Sequence, residues 1–297
     1  MSEYRPTVGF IGLGSQGGPM AAAVIADGFD TILWARREES LAPYRGSASF
    51  AGSPAELAAQ SDVIGVCVLS DEDVDDVVLR EDGVLAGVRE GAVMAVHSTT
   101  HPETCIRLST ALTGRGAHVL DAPVSGGGAA ASERRLLVMV GGDSAVFELV
   151  LPVLSSFGNP VLHLGPVGAG QVAKLVNNLL LTANLSLADE ALRLGSALGL
   201  EDDALVVALQ HGSSRSFGLD MYSGLRRSFG GSSDGIRTVA ALLGKDVGLM
   251  GRLTADSAVD AGPLLGPARR VLEAMVGGDQ GDPLAPADPP SGALAAE

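Results

Sequence analysis

Aromatic side chains are scarce. Phe, Tyr and Trp make up only 4% of the 297 residues, with a single Trp, so an apolar interior has to be assembled from Ala, Val, Leu and Ile. Cysteine is nearly missing: Cys67 and Cys105 lie in apolar or helical surroundings without metal-type spacing. That excludes a disulfide framework and reads as two buried thiols in a reducing compartment. Nor does any cluster of His, Cys, Asp and Glu show the spacing of a metal site, so none is expected. Positive charge is also short. Twenty Lys and Arg stand against thirty-five Asp and Glu, a formal net charge of -15. Nonspecific nucleic-acid binding needs the opposite balance, because phosphate neutralisation supplies its affinity, so no nucleic-acid partner is expected. Long apolar runs are absent as well. The tract Leu179 to Leu187 is broken by Thr182, Asn184 and Ser186 and flanked by Lys174 and Asp189, short of the roughly 18 apolar residues that a membrane span requires. Met1 to Pro6 carries no basic region followed by an apolar stretch and a cleavage site. No membrane association and a cytoplasmic location are expected.

Glycine, by contrast, is abundant: 40 of 297 residues, nearly twice the usual share of about 7%. Many loops or close backbone approaches follow. At roughly 150 residues per domain the length suggests two. From Thr7 to about Leu164, short β-branched runs alternate with helical ones. Val8 to Ile11, Thr31 to Trp34, Val63 to Val68, Ala92 to Val96, Val119 to Asp121, Leu136 to Val140 and Val161 to Leu164 read as strands. Ser53-Pro54-Ala55-Glu56 is a capping box with Pro at the first helical position, and Thr100-His101-Pro102-Glu103 looks like a second. Strands alternating with helices imply parallel pairing and right-handed crossovers, hence an α/β fold with a doubly wound Rossmann-type first domain over residues 1–164. After Gly165 the strand signals stop. A long helix from Gln171 to about Leu198 is followed by helical patterns at Asp202 to His211, Gly218 to Arg227, Gly235 to Val259 and Pro263 to Val276. Residues 165–297 form an all-helical second domain, in which 277–297 lacks periodicity and reads as a disordered tail. There is no internal repeat.

The first strand runs into Gly9-Phe10-Ile11-Gly12-Leu13-Gly14-Ser15-Gln16-Gly17, a Gly-x-Gly-x-x-Gly spacing between strand and helix. Gly12 permits a tight turn, Gly14 lets the backbone approach a pyrophosphate, and Gly17 allows close helix packing. The phosphates would sit on the N–H groups of the helix start, along Leu13, Ser15 and Gln16. At the end of the second strand an acidic residue would bind the ribose hydroxyls of NAD, whereas Arg accommodates the 2′-phosphate of NADP. The strand ends Leu33-Trp34-Ala35-Arg36-Arg37, so Arg36 favours NADP. The rival reading gives the ribose to Glu38 and leaves the arginines in solvent, which keeps NAD open.

Three later segments sharpen this. Asp121-Ala122-Pro123-Val124-Ser125-Gly126-Gly127 ends a strand in a turn whose N–H groups and hydroxyl can hold a carboxylate. Gly168-Ala169-Gly170-Gln171-Val172-Ala173-Lys174-Leu175-Val176-Asn177-Asn178 opens the long helix, with Lys174 and Asn178 four apart on one face. Ser98-Thr99 closes another strand, where a cofactor edge would pass. With the glycine turn, these segments resemble the β-hydroxyacid dehydrogenase family, which includes 3-hydroxyisobutyrate dehydrogenase and glyoxylate or succinic semialdehyde reductases, over residues 7 to about 276. The resemblance implies that Lys174 is the catalytic acid or base, with Ser125, Gly126, Gly127 and Asn178 holding the substrate. It also implies cofactor contacts from Leu69, Ser70 and Val74 after the third strand, from Thr99 at a strand end beside the substrate, and from Lys245 of the pair Lys245-Asp246.

Departures from the family pattern are Ser70 where Pro is usual, Val96 where Asp is usual, and Ser132-Glu133-Arg134-Arg135-Leu136 in place of a Ser-Gly-x-Leu segment. They bear on specificity. Related decarboxylating 6-phosphogluconate dehydrogenases carry His where this chain has Asn177, and imine reductases of the same fold typically replace the lysine by Asp or Tyr. Three readings are weighed: an NADPH-dependent dehydrogenase or reductase of a small carboxylate substrate, a non-catalytic NADP-binding protein, and a reductase of C=N bonds. The first uses every motif. An active site where the two halves join is expected, as is a homodimer, since the long apolar helix offers more hydrophobic surface than one small helical domain buries.

Overall fold

The computed structural model describes residues 5–228 and 233–276; the tail expected at 277–297 lies outside them. Two compact units divide inside the long helix, the first ending at Lys174 and the second starting at Leu175. The first unit contains β1 (Val8–Ile11), α1 (Gly17–Ala26), β2 (Thr31–Trp34), β3 (Ser49–Phe50), α2 (Pro54–Gln60), β4 (Val63–Val66), α3 (Asp71–Leu79) and α4 (Val84–Gly87). It continues with β5 (Val93–Val96), α5 (Pro102–Thr113), β6 (His118–Asp121), β7 (Val124–Ser125), α6 (Gly127–Ser132), β8 (Leu136–Gly141), α7 (Ser144–Leu154) and β9 (Gly158–Gly165). Next comes α8 (Ala169–Ala197), a rod of 29 residues and so about 44 Å long at 1.5 Å per residue.

The strands form one sheet in the order β3-β2-β1-β4-β5-β6-β8-β7, with β9 beside β8. From β3 to β6 every pairing is parallel. The sequence of β1, β2, β4 and β5 is a continuous apolar run instead of an alternation, because helices cover both faces and every residue in these strands is buried. Phe10, Leu33 and Ala95 pack with Met20 of α1 and Phe147 of α7 on one face. Ile11, Trp34 and Val96 pack with Leu57, Val77 and Leu108 of α2, α3 and α5 on the other. Strand order reverses at β1, which pairs with β2 on one side and β4 on the other. The crevice at such a reversal is where ligands of open α/β sheets bind.

Two expectations are corrected. Parallel pairing fails at β8, which runs antiparallel to β6 and β7. The reason is length: Gly126 to Arg135 holds only the six residues of α6, less than the dozen or so a parallel crossover needs. The second capping box is shifted by one residue. Thr100 is drawn inward, its N–H donating to Gln171 Oε1 at 3.1 Å. His101 therefore caps α5 instead, accepting from Glu103 N–H. The first box holds, with Ser53 Oγ accepting from Glu56 N–H and the Glu56 carboxylate reaching back to Gly52 N–H at 2.7 Å.

In the second unit, α9 (Asp202–His211), α10 (Phe217–Ser228), α11 (Ser233–Asp256) and α12 (Leu265–Val276) follow α8. Their core gathers Leu175, Leu192, Tyr222, Leu243 and Val271. Gly218 lets α10 close on α8, since a Cβ there would lie 2.7 Å from Asn184 Cβ.

Candidate active site

The glycine turn joins β1 to α1 as its three glycines require. Gly12 sits at φ +92°, and a Cβ there would fall 2.2 Å from the Cys67 carbonyl oxygen. At Gly17 a Cβ would fall 2.0 Å from the carbonyl of Gly12. Gly14 differs: nothing lies within 4 Å of its Cβ position, so its bare backbone faces open space. Gln16 precedes α1 without any side-chain cap, and the first N–H groups of a helix are where an anion is held. The neighbouring Leu13 is half-buried and Ser15 exposed. These residues fit the diphosphate of a dinucleotide: two glycines are demanded by the fold, and the third leaves room for something else.

Around this turn, the loops after β4 and β5 are tied together by Ser98, whose hydroxyl accepts from Val68 N–H at 2.8 Å. Leu69 projects from the first of these loops, 61% exposed. Ser70 caps α3 through its hydroxyl, which accepts from Asp73 N–H at 3.2 Å. Val74, expected at the cofactor, is instead fully buried in the apolar cluster below α3, so it supports the loop and offers no surface to a ligand. Thr99 is half-buried at the second loop. Arg36, at the end of β2, is exposed and forms an ion pair with Asp73 at 2.9 Å. Glu38 is exposed at the start of a short 3-10 turn.

The turn Ser125-Gly126-Gly127 lies beside the glycine turn, because Gly128 approaches it so closely that a Cβ would meet the Ser15 carbonyl oxygen at 2.8 Å. Gly126 and Gly127 adopt φ of +133° and +71°, conformations open to glycine. Behind them, two residues to which the sequence reading assigned no role fix the start of α8. The fully buried Asp121 carboxylate accepts from Gly168 N–H at 2.7 Å and Gln171 N–H at 2.8 Å. Gln171, also fully buried, donates from Nε2 to the Ser98 carbonyl at 2.8 Å and accepts from Thr100 N–H. Burial raises the Asp121 pKa and these backbone donors oppose the rise. The signal that could have found the pair is a carboxylate and an amide amid otherwise small and apolar neighbours, since buried polar groups need partners. One turn further along, Lys174 is buried, 8% exposed. Cys105 packs against Gln171, and burial pushes its thiol up to about 12. Cys67 is likewise raised by burial to about 12.

In the second unit Asn178 is buried, and its Nδ2 donates to Asp246 Oδ2 at 2.5 Å while its Oδ1 accepts from Asn177 Nδ2. Asp246 also pairs with Lys245 at 2.9 Å. Asp246 thus orients the amide of Asn178, a link across 68 residues of chain. Arg215 is exposed in the α9–α10 connection, and Tyr222 is buried, donating to Asp189 at 2.5 Å.

Residues 7–165 match the model of the NAD-binding domain of 6-phosphogluconate dehydrogenase, and 168–283 match that of the NAD-binding region of NADP-dependent 3-hydroxyisobutyrate dehydrogenase. The chain belongs to the β-hydroxyacid dehydrogenase family. It is therefore an NAD(P)-dependent oxidoreductase with a Rossmann-type first domain. An NAD-dependent L-serine dehydrogenase of Pseudomonas aeruginosa is 33% identical over 82% of this chain and 83% of its own. A 2-(hydroxymethyl)glutarate dehydrogenase of Eubacterium barkeri is 34% identical over 73% of each. Among solved structures, a 3-hydroxyisobutyrate dehydrogenase of Mycobacterium tuberculosis with L-serine superposes with a TM-score of 0.80. It is 26% identical, covering 92% of this chain and 94% of that one. No described helix is long and apolar enough to cross a membrane.

Proposed function

We propose that this family member interconverts a small β-hydroxyacid and its aldehyde or keto-acid partner, prefers NADP, and uses Lys174 as general acid and base. The observation that carries the reading is the placement of Lys174: a buried lysine on the first turns of α8, whose start is fixed by Asp121 and Gln171. The substrates named for the three relatives share a primary hydroxyl on the carbon β to a carboxylate, which supports the substrate class. A bound nicotinamide dinucleotide supplies or receives the hydride at the carbonyl carbon. In the reducing direction the substrate oxygen gains negative charge, and the Lys174 ammonium stabilises it and donates a proton to it. In the oxidising direction the neutral amine of Lys174 accepts the hydroxyl proton. Asn178, one turn away and held by Asp246, orients the lysine or the reacting oxygen. The Ser125 hydroxyl and the N–H groups of Gly126 and Gly127, with Thr99 beside them, hold the substrate carboxylate.

For the dinucleotide, the turn Gly12-Leu13-Gly14-Ser15-Gln16-Gly17 would hold the diphosphate, Arg36 would meet the 2′-phosphate, and Leu69, Ser70 and Lys245 would supply further contacts, with the buried Val74 supporting the loop from beneath. We place the protein in a reducing, cytoplasmic setting, supported by two free cysteines. Homodimerisation is supported by the exposed apolar stripe Val172, Val176, Leu180, Leu187 and Leu194 along α8.

Lys174→Ala is expected to lower kcat by about 10²–10⁴-fold while dinucleotide affinity stays within about twofold. Near-normal turnover would remove the lysine from the chemistry. A panel of short β-hydroxyacids, aldehyde acids and cyclic imines, followed by NADPH absorbance, tests the substrate class; turnover confined to the imines would overturn it.

A further inference from the structure

The end of β2 contains no carboxylate, yet the structure delivers one from elsewhere. Asp73, in the first turn of α3, places Oδ1 2.9 Å from the Arg36 guanidinium. Its backbone N–H is held by Ser70 Oγ at 3.2 Å, and the same hydroxyl lies 3.4 Å from the other carboxylate oxygen. The two partners are unequally fixed: the Asp73 side chain is 20% exposed and that of Arg36 is 59% exposed. The acid is anchored to a helix start, and the base reaches it on a solvent-exposed stem.

We propose that Asp73 is a specificity-determining residue that moderates NADP preference and keeps NAD usable, by holding Arg36 and presenting a carboxylate to the adenosine ribose. The proposal rests on the dinucleotide reading above. In Rossmann-type domains the end of the second strand addresses the ribose 2′ position, where an acid accepts from a hydroxyl and Arg meets a phosphate. Here both roles occur in one ion pair contributed by two elements. A 2′-phosphate carries about -1.5 to -2 charges near neutral pH. It gains from Arg36 and is repelled by Asp73, and it must compete with Asp73 for the guanidinium. A ribose 2′-hydroxyl meets no repulsion and can donate to the carboxylate oxygen that Arg36 does not hold, which keeps a lone pair beside its long contact with Ser70. Asp73 therefore acts on the two cofactors with opposite sign.

Calorimetric titration with 2′,5′-ADP and with 5′-ADP reads this without turnover. Asp73→Asn keeps the shape of the side chain, and Ser70 can still cap the helix. It is expected to tighten 2′,5′-ADP on the order of tenfold, the size of the repulsion removed at about 5 Å in a watery setting, and to leave 5′-ADP equal or weaker. Arg36→Gln in the Asp73→Asn background should abolish that gain. Asp75→Asn removes the same charge from α3 at a carboxylate paired with Arg107, and should leave the ratio of the two affinities within twofold. An unchanged ratio in Asp73→Asn, or an equal rise in Asp75→Asn, overturns the role of Asp73 while the dinucleotide site stands. Failure of the wild-type protein to bind either nucleotide overturns both.

Discussion

The two units hold their polar groups by different means. In the first, the turns are shaped by glycine, and the start of α8 hangs on backbone N–H groups that a buried acid and a buried amide receive. In the second, Asn178, Asp246 and Lys245 hold one another side chain to side chain on helices that apolar packing already fixes. The first arrangement leaves little freedom, because removing one atom orphans the main chain. The second can lose a partner and still keep its helices.

That contrast is sharpest at Gly17. Gly17→Ala pushes a methyl 2.0 Å from the Gly12 carbonyl and should destabilise the first unit by more than about 4 kcal/mol, whereas Gly14→Ala, with open space before it, should fold normally and lose dinucleotide affinity. Urea unfolding and nucleotide titration separate the two outcomes; equal stability loss in both variants would refute the division of labour. Next in size, Asp121→Ala leaves the N–H groups of Gly168 and Gln171 buried without an acceptor, at roughly 3–4 kcal/mol. Asp246→Ala lets side chains find other partners and should cost about 1–2 kcal/mol. Comparable values for the two would erase the distinction between the units.

Acid should also act unevenly. His97 in the first unit is buried between Phe10 and Phe157, and burial holds its imidazole down at about 4, below the ordinary 6.5, against the bond to the Ala122 carbonyl. Unfolding at intermediate pH takes up a proton there. The stability this neutral His contributes is fully present above about pH 6.5 and is lost as the pH falls toward about 4, on the order of 3 kcal/mol. Asp121, raised by burial, works in the opposite sense, losing stability as the pH rises. His97→Asn should flatten the acid slope of the urea midpoint between pH 7 and 4.5, and a parallel slope would assign acid sensitivity elsewhere. The smallest effect lies at Arg134, which ends α6 at φ +56° and pairs with Asp27. Arg134→Gly relieves about 1 kcal/mol of left-handed backbone strain and gives up an exposed ion pair worth about 0–1 kcal/mol. The expected net gain, near 0.5 kcal/mol, is read by thermal unfolding.

Most of the first unit was legible because its backbone demands special residues: β1 and β2 begin and end where the apolar runs do, and Gly12 and Gly17 make the close backbone approaches their spacing implied. The long helix was legible from a run of nearly thirty residues without Pro and with a single Gly. What escaped was set by distant partners. β3 and β7 are two residues each, too short for any period. α6 is built of small residues that read as a turn. The bond from Asn178 to Asp246 and the ion pair of Arg36 with Asp73 join helix faces and loops far apart in sequence, and no local pattern announces them. Ser70, singled out as a departure from Pro, turned out to matter as a cap for Asp73.

The single tryptophan also has an experimental consequence. Trp34 closes β2, nearly buried, with the Arg80 guanidinium 5.1 Å above its ring. Emission excited at the red edge of the indole band therefore originates wholly in the sheet unit, at the end of β2, while far-ultraviolet dichroism is weighted toward the helices. Following both signals through one denaturation gives two independent clocks, and their divergence would time the melting of each unit without any label.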